Sequence, residues 1–294
     1  MATVNFNDSI FAQEALQAFV AELAPINAFA RDFSGETARK GNAVYVPRVD
    51  SITATTFNQL YNVGGGTINT ITVTLDKHRI SHMDLTDVQQ LNSSAATIDN
   101  MARQAGKGLA KLVLQDIWSV ILTTNFGAAV VTTAAANYSK TQVRAFRKAL
   151  SQSNVDMSML SLILDTETYD SLLGDTNIVQ AFQYGGSEAI RDGRVPRLMG
   201  FDVYESNVIP INGISLTGFA CHPDAIAVAM RGFQDVVPSG AYEAFEAVTD
   251  DESGITMTYR RHYDPNVGKM YGNFECLFGY SAALTPGLKL ATVP

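Results

Sequence analysis

The chain has 294 residues, 46% of them hydrophobic, with two cysteines and a formal net charge of −8. That hydrophobic share excludes a globally disordered chain and suits one large domain or two intimately joined ones. The acidity excludes an electrostatic DNA binder, because such a surface repels phosphate on average, and no run approaches the ~18 apolar residues of a membrane span.

The first eight residues lack a basic region followed by an apolar run, so no secretory signal is expected. A helix begins at Asp8 or Ser9, either of which can cap it. Leu16, Phe19, Val20 and Leu23 recur at helical spacing and form one apolar stripe, and Pro25 ends or kinks the helix. Such a stripe covers either the chain's own core or a neighbouring copy. The arm-like segment that follows favours the neighbour, with Phe11, Leu16 and Phe19 as its contact residues.

Ser34–Asn42 is a polar turn region. Two strand-like runs then follow, Val44–Val49 and Thr67–Leu75, the second alternating Ile and Val with Thr. Between them lie about 17 residues of polar, Thr- and Gly-rich chain ending in Gly64-Gly65-Gly66. Structureless loops of that length are uncommon inside a compact domain. An arm of this kind makes sense if it packs outside its own subunit, with Phe57, Leu60, Tyr61 and Val63 as the apolar groups it would bury there. The second strand is expected to continue through Asp76–Asp84, with Leu85–Gln90 a turn or short helix.

Ser93–Thr123 carries the longest helical pattern, with Asp116 as its polar exception. Continuous, some 30 residues would span about 45 Å. Gly106 and Gly108 weaken its middle by about 1 kcal/mol each unless close packing or a bend requires them. Phe126–Thr133 is a strand candidate. Lys140–Ser151 is helical, Ser161–Leu164 a buried strand, and Asp165 caps a helix to Leu173. Ser187–Asp192 reads as a short helix, Leu198–Tyr204 and Gly218–Cys221 as strands, and Asp224–Met230 as either. Ala241–Val248, Gly254–Tyr263 and Lys269–Tyr280 alternate as longer strands, joined by turns at Asp250–Gly254 and Asp264–Gly268.

Motifs that carry chemistry are sparse. Gly64-Gly65-Gly66 feeds a strand rather than a helix and has no Gly-Lys-Ser/Thr after it, so it is no phosphate loop. His78 and His82 share a strand face about 13 Å apart and cannot bind one metal ion. Cys221 and Cys276 lack paired spacing and sit in apolar runs, where a thiol acts as a small hydrophobe. No cofactor and no catalytic residue is assigned. An acid–base group of His82, Asp84 and Asp87 would make a hydrolase site; those residues also suit caps and turns. Lys107 with Lys111, and Arg144 with Arg147 and Lys148, read as solvated helix faces.

The order of parts resembles the major capsid proteins of tailed bacteriophages, with the Hong Kong ninety-seven capsid fold. The matching pieces are the Asp8–Phe33 arm, Lys40–Arg48 opening a long loop, Thr67–His78 and Leu85–Asp87 closing it, and a long helix. Leu164–Tyr169, Gly193–Tyr204 with Ser206, Phe219–Ile226 and Arg261–Pro265 follow in order. The resemblance implies an α+β fold: an N-arm over 1–40, an extended loop over 41–80, a peripheral domain with a spine helix over 81–138 and 254–283, an axial domain over 139–253 and a C-terminal segment over 284–294. It further implies hexamers and pentamers tiling an icosahedral shell that encloses double-stranded DNA, in a virion assembled in the host cytoplasm, with a portal and no membrane. Some relatives carry a long N-terminal scaffolding segment that is removed; few residues precede the first helix here, so a separate scaffolding protein, or none, is expected. Some relatives cross-link through a loop lysine; none lies between Val49 and Asp76, so no such link is expected. An encapsulin-like shell around cargo enzymes is the alternative within the fold.

Overall fold

The computed structural model describes residues 8–23, 26–32, 42–49, 56, 68–92, 95–175, 195, 197–233, 242–250 and 255–294. The loop tip, the expected helix at Ser187–Asp192 and most of the turns at Ser34–Asn42 and Asp250–Gly254 lie outside them.

Helix α1 (Asp8–Leu23) leads into the single turn α2 (Ile26–Phe29) and the short strand β1 (Ala30–Asp32). Strands β2 (Ala43–Val49) and β3 (Ile68–Thr74) form an antiparallel hairpin in which Tyr45 pairs with Thr72 and Val49 with Ile68. The expected continuous second strand breaks at Leu75-Asp76, and β4 (Lys77–Thr86) joins a different sheet. Helix α3 (Asp87–Asn92) precedes the long helix α4 (Ala95–Trp118). Phe126–Thr133 is mostly not a strand: it holds the end of the turn α5 (Thr123–Phe126), then Gly127 at φ 84°, and only β5 (Val131–Thr132) is extended.

Helix α6 (Lys140–Gln152) starts in a Ser139–Gln142 capping box, and α7 (Thr166–Leu173) starts, as expected from the sequence, at Asp165, which accepts the Glu167 N–H at 3.0 Å. Between them β6 (Leu160–Leu164) is buried along its whole length, the pattern of a central strand covered on both faces. The run Leu198–Tyr204 is two strands, β7 (Arg197–Leu198) and β8 (Phe201–Glu205). Met199 and Gly200, at φ 51° and 91°, make the tight turn whose twist matches a hairpin. Strand β9 (Leu216–Cys221) is followed by a 3-10 turn at Pro223–Ala225, which settles the ambiguous Asp224–Met230 as turn and then strand β10 (Ile226–Arg231). Strands β11 (Ala244–Thr249), β12 (Thr256–Asp264), β13 (Lys269–Ala282) and β14 (Leu288–Thr292) complete the chain.

Two six-stranded sheets organise these elements. The first runs β1-β10-β13-β12-β11, with β4 on the other side of β13; the second runs β5-β14-β9-β6-β8-β7. Pairing therefore crosses the expected boundaries. Strands β10 and β11, inside 139–253, belong to the first sheet, and β14, inside 284–294, belongs to the second. Alternation alone could not show this, because a strand's pattern says which faces are covered and not which sheet supplies its partners.

Helices α1 and α4 cover one face of the first sheet. Phe11 lies 5.4 Å from the Tyr259 ring and 5.5 Å from Phe274. The second sheet carries α6 and α7 on one face, around Val143, Phe146, Leu162, Tyr169 and Phe201. Its other face merges with the main core, where Phe29, Trp118 and Phe219 pack edge to face with centroids 5.4 to 6.4 Å apart.

Candidate assembly surface

The hairpin β2–β3 alternates sharply. Val44, Val46, Val73 and Leu75 point inward and pack on Ala227 and Ala229 of β10 and on Leu277 of β13. Ala227 and Ala229 alternate with Ile226, Val228 and Met230, which face the main core, so the hairpin root sits on the face of the first sheet opposite α1 and α4. Gly279 permits this docking: a Cβ there would lie 2.0 Å from the carbonyl oxygen of Thr74. The Arg48 guanidinium donates to the Ala283 carbonyl at 2.7 Å and fixes the other strand. Burying the inward Val and Leu side chains contributes about 1.5–3 kcal/mol each, so the root is held firmly.

The outward face is different. Thr70, Thr72 and Thr74 are exposed, and among them stand Tyr45 at 65% and Ile68 at 67% exposure. Tyr45 and Ile68 stand on the otherwise polar face of the alternating ribbon, which the period-two pattern of the sequence marks as outward. The expected loop contacts Phe57, Leu60, Tyr61 and Val63 lie outside the described residues.

The N-arm residues are placed. Phe11 (3% exposed), Leu16 (6%) and Phe19 (0%) belong to the subunit's own core, so they have almost no surface left to offer a neighbour, and the expectation for these three is corrected. Small residues bring α1 onto α4: a Cβ on Gly106 would lie 2.3 Å from the Ala15 carbonyl oxygen, whereas Gly108 faces open space. Glu14 accepts from Arg103 at 2.8 Å, so the polar side of α1 is also tied to α4.

Strand β4 links the hairpin to this body. The Arg79 guanidinium grips Asp116 through two hydrogen bonds, Nε to Oδ2 at 2.5 Å and Nη2 to Oδ1 at 2.9 Å, which explains the one polar position in the apolar stripe of α4. The imagined acid–base group does not converge. His82 Nδ1 meets Asn273 Oδ1 at 2.9 Å, Asp84 accepts from Lys269 Nζ at 2.7 Å, and Asp87 accepts from the Tyr263 hydroxyl at 3.1 Å. The Lys269 hydrogen bond holds the Asp84 carboxyl below its ordinary pKa, and Asp87 raises the Tyr263 phenol. Each carboxylate thus ties β4 or α3 to the adjoining strands.

His78 meets Glu275 at 3.2 Å on the same sheet face, where Arg260 stands 5.2 to 5.6 Å from the rings of Phe233, Tyr242 and Phe245. Among the described residues no group of three His, Cys, Asp or Glu side chains could hold a metal ion, and no helix is long and apolar enough to cross a membrane. Cys221 and Cys276 are buried and unpaired; burial pushes the Cys276 thiol up to about 12 and the Cys221 thiol further in the same direction, so neither is a thiolate nucleophile near neutral pH.

A family model described as phage capsid protein matches residues 69–277. Among solved structures, the capsid of cyanophage P-SCSP1u has a TM-score of 0.62 at 13% identity, covering 90% of this chain and 86% of that one. The capsid asymmetric unit of cyanophage Pam1 gives 0.61 at 13% identity, covering 92% and 91%. A structure from Mycobacterium phage Che8 gives 0.58 at 17% identity, covering 86% and 85%. No curated protein matches the chain.

Proposed function

The chain belongs to the phage capsid protein family and is a structural major capsid protein of the virion with the Hong Kong ninety-seven fold; from that premise we propose that its subunits assemble as hexamers and pentamers of an icosahedral shell enclosing double-stranded DNA. The observation that carries the assembly reading is the two-faced hairpin. Its inner face is spent on its own subunit, and its outer face keeps Tyr45 and Ile68 in water. A lone subunit gains nothing from such exposure, whereas a lattice of copies covers it.

In this reading the first sheet with α1 and α4 is the peripheral domain. The second sheet with α6 and α7 is the axial domain, and the loop tip with Phe57, Leu60, Tyr61 and Val63 extends the hairpin over a neighbour. The protein acts by packing rather than catalysis, which the dispersed carboxylates and buried thiols support. DNA is held by enclosure, and the portal and a separate scaffolding protein are further partners during assembly in the host cytoplasm.

Electron microscopy and size-exclusion chromatography of the expressed chain test this. Uniform closed particles are expected, or spiral and off-size particles where scaffolding is required. Deleting Asn58–Gly65 with a short Gly-Ser bridge should leave a folded subunit that forms no stable shell. A monodisperse monomer of the parent chain at high concentration would sink the reading, and normal shells from the deletion would remove the loop's role.

A further inference from the structure

Helices α6 and α7 line the same face of the second sheet and carry opposite charge. Helix α6 holds four of the chain's 21 lysines and arginines, Lys140, Arg144, Arg147 and Lys148, and none of its 29 acidic residues. Helix α7 and its cap hold Asp165, Glu167 and Asp170 and no base. Two exposed charges on each helix stay unused, Lys140 at the start of α6 being only half exposed. Arg147 donates to the Met199 carbonyl, and Asp165 accepts its helix cap. Arg144 and Lys148, four residues apart, are exposed on α6, and Glu167 and Asp170, three apart, are exposed on α7. None of these four makes an ion pair among the described residues, although both helices belong to one module.

Two complementary patches at different places on one molecule define a head-to-tail contact, and a rotation that closes such contacts makes a ring. Charge sign decides which faces may approach, since like charges brought together repel while complementary ones steer encounter and fix register. We propose that α6 of one copy docks against α7 of the next copy in a ring of subunits, with Arg144 and Lys148 facing Glu167 and Asp170. This rests on the shell reading above. A nucleic acid fits α6 less well, because the same face of the second sheet also carries the carboxylates of α7, which repel phosphate.

The test uses the full chain with R144E/K148E, with E167K/D170K, with all four changes, and with the two double variants mixed. Ring and shell formation is read by size exclusion and microscopy, and folding by circular dichroism. Each double variant alone should assemble at least about tenfold less well than the parent, because like charges then face one another across the contact. The four-fold variant should recover. Six-membered rings should also recover in the mixture, because alternating partners then set an acidic helix against a basic one at every contact; a five-membered ring cannot alternate, so closed shells are expected only of the four-fold variant. Parent-like assembly of either double variant overturns the docking, as does failure of both the four-fold variant and the mixture while folded. Should a reversal not fold, R144Q/K148Q replaces it, and parent-like assembly at low salt overturns the docking equally. Normal shells that merely retain less nucleic acid would reassign α6 to phosphate. A parent chain that forms no particle sinks the shell reading instead, which keeps the two failures distinct.

Discussion

Helix α1 and hairpin β2–β3 clasp opposite faces of the first sheet, and they differ in what they leave outside. The helix buries Phe11, Leu16, Phe19 and Leu23, and its polar side pairs Glu14 with Arg103 and Glu22 with Lys111. The hairpin buries Val44, Val46 and Val73 but holds Tyr45 and Ile68 in solvent among threonines. The outer side of α1 is mostly paired, with Ile10 at 52% exposure as its one large apolar group in water, so most of the helix is finished within its subunit. An element whose outer side still carries large apolar groups has a second partner to meet.

The largest effect should separate fold from assembly. Phe19→Ala removes a fully buried ring and should cost about 3–5 kcal/mol of subunit stability in urea unfolding. Tyr45→Ser should stay within about 0.5 kcal/mol of the parent yet weaken shells. A Tyr45→Ser chain that assembles down to the same protein concentration as the parent breaks the contrast. Two glycines sharpen it next. In a helix Gly→Ala ordinarily stabilises by up to about 1 kcal/mol, and Gly108→Ala should do so because its surroundings are open. Gly106→Ala should reverse sign and lose about 1–3 kcal/mol, because the new methyl meets the Ala15 backbone. Equal melting shifts for the two would show that α1 is not seated on α4 as described. Asp116→Ala should cost about 1.5 kcal/mol, at the low end for charged hydrogen bonds because Arg79 is partly exposed. Its effect should vanish in an Arg79→Ala background.

Much of the fold was legible because it rests on local rules. The Asp165 cap, the turn at Asp264–Gly268, the fully apolar β6 and the long α4 all follow from short-range chemistry in the sequence. What was not legible depends on partners distant in sequence. The stripe of α1 states that something covers Phe19, and only Gly106, 87 positions on, shows that α4 is what it meets. The break at Leu75-Asp76 falls where the Ile/Val–Thr alternation gives way to the polar run Asp76–Arg79, which does not say that β4 pairs in a different sheet from β3. Asp116 looked like an anomaly until Arg79 was set opposite it. Tyr45 lies in a run whose alternation marks it as outward-facing, but the sequence does not show that Val44 and Val46 beside it are covered by β10 of the same subunit.

The smallest predicted effect sets the two sides of the sheet against each other through acid. At the start of α1, burial raises the Asp8 carboxyl above its usual 3.8, outweighing the lowering by Arg261, with Glu246 and Glu243 adding to the rise. A raised folded pKa contributes stability that is fully present below 3.8 and is lost as pH rises through the raised value. At β4 the Lys269 hydrogen bond lowers the Asp84 carboxyl, so its contribution is present above 3.8 and is lost as pH falls through the lowered value. Acidification should therefore favour the α1 contact and weaken the β4–β13 contact. Against the parent, Asp8→Asn should look relatively more stable at pH 7 than in acid, and Asp84→Asn relatively less stable at pH 7 than in acid. Thermal melts of both variants across that range check the signs. Differences that drift in the same direction would mean that Asp8 is governed by Arg261 rather than by burial, and that α1 meets the sheet through an ion pair rather than through packing.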